Sequence, residues 1–201
     1  AGYSYFDLKN QIGVSPLFEH KRYGNDGLYN AWAARAEWMH FISSDKAFKL
    51  EVERKDFNYH KYKSFDGIEN SAFATFWKIF PDQWTVFGGL DVVDHSAQEK
   101  YVAAYQQQGA RLGVTKNWSA GFNTTLLSSY RWRQFDKYAV SYFARRHDFE
   151  QNYTFVLQMP RFEFYGMTPN LTYRYNHNKS NVDWLYSYDK HNISLKLEHR
   201  F

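Results

Sequence analysis

The feature that most constrains this chain is alternation. Apolar and polar residues exchange places at every second position along most of its 201 residues, which is the period of an extended strand and not of a helix. The segment 119–133 shows it most clearly. Ala120, Phe122, Thr124, Leu126, Ser128, Tyr130 and Trp132 share one face, against Gly121, Asn123, Thr125, Leu127, Ser129, Arg131 and Arg133. At the end of the chain Ile193, Leu195, Leu197, His199 and Phe201 oppose Ser194, Lys196, Glu198 and Arg200. The same rhythm elsewhere predicts about ten strands, near 11–22, 28–41, 46–60, 66–79, 82–95, 99–116, 118–133, 143–159, 166–179 and 186–201. Many of these exceed the ordinary strand of about 5–6 residues. They reach the 9–11 or so that a tilted strand needs to cross a bilayer.

Composition narrows the choice. Seven Trp, 17 Tyr and 18 Phe make up 21% of the chain, and such rings suit a surface that is half oil and half water. No apolar run approaches the roughly 20 residues of a spanning helix, so transmembrane helices are excluded while a transmembrane barrel is not. The absence of Cys excludes disulfides and thiolate metal sites. Twenty-five basic residues nearly balance 21 acidic ones and form no block, so nucleic acid is not an expected partner. The start Ala1-Gly2-Tyr3, without an initiator Met, is expected of a processed product or an excised fragment.

The connections sort into two alternating kinds. Ser44-Asp45, Pro81-Asp82 and Lys116-Asn117 read as tight turns, and 22–27, 59–67, 94–100, 134–147 and 178–189 as longer polar loops. Short periplasmic turns and long extracellular loops characterise outer-membrane barrels, and the long connection 160–169 is the exception here. An even strand count would put both chain ends on the periplasmic side. A soluble meander or lipocalin-like barrel alternates in the same way with its apolar face turned inward. Two observations favour the membrane. Trp118 and the Tyr130/Trp132 pair are separated by about the spacing of two aromatic girdles, and the last alternating strand ends on Phe201 with no tail.

Two stretches carry a family resemblance. The closing Phe201, with Leu197, Leu195 and Ile193 at alternate positions before it, resembles the C-terminal signal read by the barrel-assembly machinery, although His199 departs from that pattern. The stretch containing Gly166, Thr168 and Pro169, then Lys179-Ser180-Asn181, then Tyr186, Tyr188, Asp189 and Lys190, resembles the barrel end of the surface lipoprotein assembly modifier (Slam) family. Phe87-Gly88-Gly89-Leu90-Asp91 and the 109–113 region are more weakly similar. The resemblance implies a periplasmic helical-repeat domain followed by a barrel of about fourteen strands, of which this chain is a C-terminal portion. It also implies movement of lipoprotein or haem-acquisition cargo proteins from the periplasm to the cell surface.

A few residue pairs suggest chemistry. Asp94-His95 and His147-Asp148 match the residue types with which omptin-like proteases activate water at a barrel mouth, and they equally suit solvated loop bases. Ser128 and Ser129 have no implied His partner for a phospholipase. His177 and His191 lack ligand spacing, and no metal or other cofactor is expected. The charges Arg35, Glu37, Lys49, Glu51, Glu53, Arg131, Arg133, Arg174, Lys196, Glu198 and Arg200 alternate with the apolar face and so are expected to line the lumen, as a salt-bridge network or as a passage wall. The expectation is an all-β, antiparallel transmembrane barrel forming one domain over residues 1–201, integral to a bacterial outer membrane. It is a translocator and not an enzyme, with lipid, the barrel-assembly machinery and a cargo protein as partners. A small porin, a surface-binding barrel and an omptin-like protease are the alternatives.

Overall fold

The computed structural model describes residues 2–99, 104–139, 143–163 and 165–199. Eleven strands follow one another: β1 (Tyr3–Phe6), β2 (Asn10–Tyr23), β3 (Asp26–Ser43), β4 (Lys46–Tyr59), β5 (Gly67–Phe80), β6 (Trp84–Ala97), β7 (Tyr105–Asn117), β8 (Asn123–Ala139), β9 (Ala144–Gln158), β10 (Met167–Ser180) and β11 (Tyr188–His199). Each pairs antiparallel with its sequence neighbours in a single sheet ordered β1 to β11. Among the described residues β1 and β11 are not paired with each other, so the sheet is open.

The ten expected strands are β2 to β11, and β1 is an addition. Its turn was illegible because it uses neither Gly nor Pro. The Asp7 carboxylate instead accepts the backbone N–H groups of Lys9 (2.7 Å) and Asn10 (2.6 Å), reversing the chain. Other boundaries also moved. Much of the expected loop at 134–147 is strand, because β8 runs on to Ala139 and β9 starts at Ala144, carrying the ladder through charged residues. Residues 22–27 hold only a tight turn at 24–25, where Gly24 takes φ 60°. The expected turn at Lys116-Asn117 falls instead at 118–122, and β7 starts at Tyr105, not near 99. One end of the sheet therefore carries the connections that follow β2, β4, β6, β8 and β10. The other carries those that follow β1, β3, β5, β7 and β9. The contrast between short turns and long loops is weaker than the sequence suggests, because a backbone ladder pays no heed to side-chain polarity.

The register assigns every side chain to one of two faces. One hydrogen-bonded row runs Glu51, Phe73, Asp91, Gly109, Arg131, Glu150 and Asn178, on an ionic face. The row beside it on the opposite face runs Ala36, Val52, Ala72, Val92, Gln108, Trp132 and Phe149, and ends on Lys179. Further along, the row through Tyr173 runs back through Phe155, Leu126, Val114 and Val86 to Lys78 and Lys46. The apolar band thus crosses the hydrogen-bonded rows obliquely. From β3 to β10 it slides close to one residue per strand.

Rings border this band. Near the short turns Lys116 Nζ lies 4.5 Å from the Trp84 ring and Lys78 Nζ 4.9 Å from the Phe80 ring. The indole N–H of Trp118 is satisfied by Thr124 Oγ1 at 2.9 Å, and that of Trp38 by Asn10 Oδ1 at 3.1 Å. At the turn 44–45 the Ser43 hydroxyl, 2.6 Å from Asp45, holds that carboxyl below its ordinary range. Toward the other end Phe18 packs on Trp32 at 4.7 Å and Trp132 on Phe149 at 5.2 Å. What packs tightly inside is small. Tyr29, Ala31 and Phe57 form the buried cluster, on the ionic face.

Candidate functional site

Alternation places one set of charges from β2 to β11 on the ionic face, and the register decides which of them meet. Arg35 spans two carboxylates, with Glu53 at 2.6 Å and Glu51 at 3.7 Å. Lys49 lies 2.6 Å from Glu37 and 2.9 Å from Glu51, so all five sequence-expected charges of β3 and β4 form one network. Lys55, Glu19 and Tyr29 form a separate group on the same face, Glu19 taking the Lys55 ammonium and the Tyr29 hydroxyl. A second network lies on β7 to β9. Glu150 sits between Arg131 at 3.7 Å and Arg133 at 3.8 Å, and Arg133 donates to Gln107 while stacking over Tyr105.

Between the two networks, Glu69 on β5 is flanked by His95 at 3.5 Å and accepts the Tyr105 hydroxyl at 3.3 Å. The middle of the face is thin in side chains. Gly109 leaves room for the Asp91 carboxylate to lie across it, and Gly113 does the same for the Phe87 ring. Among the described residues, buried Asp91 leaves Oδ2 without a partner and Arg131 leaves Nε without one. Arg174 and Lys196 make no ion pair among the described residues, and Glu198 accepts only Asn170 Nδ2 at 3.2 Å. Arg200 lies outside the described residues. Glu19, Lys55, Glu69, Arg111, Arg146, Asp148 and Glu150 were absent from the sequence-based set, although their parity along the strands was available to find them.

The family-like segment forms a clasp over the ends of β9 and β10. Ser180 is buried, and its backbone N–H donates to Ser187 Oγ at 2.9 Å. Asn181 donates to the Arg145 carbonyl and accepts the His147 N–H, each at 2.8 Å. A single turn, α1 (Asp183–Tyr186), then brings Tyr186 beneath the Arg146 guanidinium, 3.4 Å from the ring centroid, while Arg146 grips Asp148 at 2.5 and 3.0 Å. Asp189 accepts the Tyr175 hydroxyl at 2.6 Å and faces His177 at 2.8 Å. Thr168 stands opposite Glu198 and Pro169 opposite Leu197, Lys179 is exposed on the apolar face, and Tyr188 pairs with Asn178. Ile193, Leu195 and Leu197 are largely exposed along the outer face of β11, and Phe201 lies outside the described residues.

The dipeptides weighed for catalysis are divided by the pleat. Asp94 faces the apolar side and His95 the ionic side, while His147 is exposed and Asp148 is engaged by Arg146. Ser128 and Ser129 point to opposite faces in the same way. His177 and His191 sit on the outer face against Asp189 and Tyr173. No group of three or more potential metal ligands occurs among the described residues.

These features define a class. This is an all-β protein with a single antiparallel meander, ionic on one face and apolar on the other, consistent with the wall of a barrel. The chain belongs to the surface lipoprotein assembly modifier family, whose profile matches residues 1–201. It is 87% identical over its whole length to a hemophilin secretion modulator of Acinetobacter baumannii, covering 40% of that protein. It is 24% identical to surface lipoprotein assembly modifier 1 of Haemophilus influenzae, covering 43% of it. To surface lipoprotein assembly modifier 2 of Neisseria meningitidis it is 21% identical over 91% of the chain. The chain thus spans about two fifths of the length of the curated relatives it matches. No solved structure gives a significant match.

Proposed function

We propose that this chain forms much of the wall of an integral outer-membrane β-barrel, through which a larger protein passes cargo from the periplasm to the cell surface. The observation that carries the barrel reading is the oblique apolar band. A slide near one residue per strand, with a rise of about 3.3 Å and a strand spacing of about 4.8 Å, corresponds to a strand tilt on the order of 30–35°. That is close to the tilt of roughly 35–45° at which strands of outer-membrane barrels cross the bilayer. Accessible area supports the same reading. The chain exposes 13612 Å², against about 10,000 Å² for a compact soluble protein of its mass. Leu90, Leu112, Ile193 and Leu195 are more than half exposed, so they need lipid or protein to cover them.

The names of the relatives support cargo of the lipoprotein or haem-acquisition kind. Strands from outside this chain would complete the barrel, toward the fourteen implied by the family resemblance. The ionic face would then line a polar passage, with Arg35, Glu37, Lys49, Glu51, Glu53, Arg131 and Arg133 neutralising one another. The unpaired Arg174 and Lys196 would be left to touch cargo. Guidance of this kind makes and breaks no covalent bond. The outward row Ile193, Leu195 and Leu197 would present the strand to the barrel-assembly machinery, and the turns 44–45 and 81–83 would face the periplasm. The test is deletion of residues 1–201 from the full-length protein in its host. Stable cargo should accumulate in the periplasm, and unchanged surface display would overturn the proposal.

A further inference from the structure

One hydrogen-bonded row changes character as it crosses the apolar face. From Val52, Ala72 and Val92 it passes to Gln108 on β7, Trp132 on β8, Phe149 on β9 and Lys179 on β10. The next row on that face carries Gln106, Gln134 and His147, and Asn181 closes it by accepting the His147 backbone N–H. Together these side chains border a depression of about 510 Å³. Its floor is the Trp132 and Phe149 rings, stacked with centroids 5.2 Å apart and 30° between their planes. Its walls are amides, an imidazole and an ammonium. Among the described residues the side chains of Gln108, Gln134, His147 and Lys179 make no hydrogen bond or ion pair, and the Trp132 indole N–H makes none either. Gln106 reaches only Asp94 Oδ1, at 3.4 Å. The other charges around the depression are Arg145, Asp136 and Asp183, all exposed, and the His177–Asp189 pair.

The slide of the apolar band sets the depth of this patch. At about 2.7 Å per strand step, Trp132 and Phe149 stand about 11 and 14 Å above the level of Val52. That is near the edge of an apolar band roughly 25 Å tall. Lys179, Gln134 and His147 rise beyond it, at the end opposite the turns 44–45 and 81–83. The rings therefore lie where hydrocarbon stops, and the open polar groups lie among the headgroups of the outer leaflet. β7 to β10 each have both neighbours in the sheet, so closure of the barrel leaves the patch uncovered. A bare phosphate would call for a cluster of cations, whereas here Lys179 and Arg145 stand against Asp94, Asp136 and Asp183. A sugar fits this chemistry better. Its C–H face packs flat on an aromatic ring, and its neighbouring hydroxyls both donate and accept, which a carboxamide answers with N–H and C=O from one side chain. We infer that the depression on β7 to β10 is a docking site for the sugar headgroup of an outer-leaflet glycolipid. The rings lie under the sugar, Gln108 and Gln134 take its hydroxyls, and Lys179 takes an acidic substituent.

The inference rests on the outward face being the membrane face, and its test separates the two. Full-length protein is extracted from the outer-membrane fraction and titrated in detergent with lipopolysaccharide from the host, bound molecules being counted by native mass measurement. Phosphatidylglycerol serves as the phosphate-bearing lipid without a sugar. Lipopolysaccharide should bind at least tenfold more tightly than phosphatidylglycerol. Trp132→Ala and Lys179→Gln should each weaken it by roughly tenfold, whereas Trp84→Ala, at the opposite border, should not. Lys179 is exposed and unpaired among the described residues, so its exchange decides the matter even if Trp132→Ala fails to fold. Equal binding of the two lipids, or lipopolysaccharide affinity unchanged in Lys179→Gln, overturns the docking site alone. So does a photo-cross-linking residue in place of Gln134 that captures protein in living cells and no glycolipid. Protein absent from the outer-membrane fraction overturns the membrane reading instead.

Discussion

Gly113 and Gly88 lie on adjacent strands and on opposite faces, and their surroundings differ. A Cβ at Gly113 would overlap the Phe87 ring, which lies across the bare backbone, whereas a Cβ at Gly88 meets nothing closer than 3.5 Å. A ring over a glycine lets two strands stay close without a void. Gly113→Ala should therefore destabilise the folded chain by about 1–3 kcal/mol, the usual cost of forcing atoms into filled space. Gly88→Ala should leave it unchanged or slightly more stable through reduced unfolded-state freedom. Denaturant unfolding of the full-length protein in lipid vesicles measures both, and equal effects would refute the account. Neither role was legible in Phe87-Gly88-Gly89, because the chain alone does not say which glycine lies opposite which ring.

At the scale of elements, the clasp after β10 shows what a loop contributes to a ladder. Lys179-Ser180-Asn181 and Tyr186 stood out by resemblance, with no physical role attached. In the fold, the Ser187 hydroxyl and the Asn181 amide stand in for missing backbone partners, and Tyr186 seats the Arg146–Asp148 pair. Removing both side-chain hydrogen bonds with Asn181→Ala should speed amide hydrogen exchange in residues 145–147 and 181–187 by roughly thirtyfold, since each bond contributes about 1 kcal/mol net. Exchange in the middle of β10 should not change. Uniform exchange across the whole strand would mean that the segment frays independently of this contact. The pleat acts at the same scale on Asp94-His95 and His147-Asp148: adjacent residues in a strand point apart, so proximity in sequence does not put such a pair on one face.

For the whole molecule, the slide of the apolar band makes depth measurable. Leu112 and His191 lie in one hydrogen-bonded row, through Ser128, Tyr153 and Tyr175. The tilt nevertheless places them about 11 Å apart along the membrane normal, four strand steps at about 2.7 Å each. Spin labels at 112 and 195 should report equal lipid depth, and a label at 191 should lie nearer the interface. Equal depths for 112 and 191 would mean that the rows run parallel to the membrane, contradicting the tilt.

By itself the sequence determined the all-β class, the strand rhythm and the face on which each charge falls, because a period of two needs only neighbouring residues. It also placed ten of the eleven strands, missing the short one entered through Asp7. The tertiary structure decided which charges meet. Arg35 reaches Glu53 and Glu51, while Arg174 and Lys196 make no ion pair among the described residues, and those pairings depend on register between strands. The same register sets Gln108, Trp132, Phe149 and Lys179 in line and turns alternation into a tilted band. Register is a relation between segments far apart in the chain, and periodicity within one strand carries no information about it.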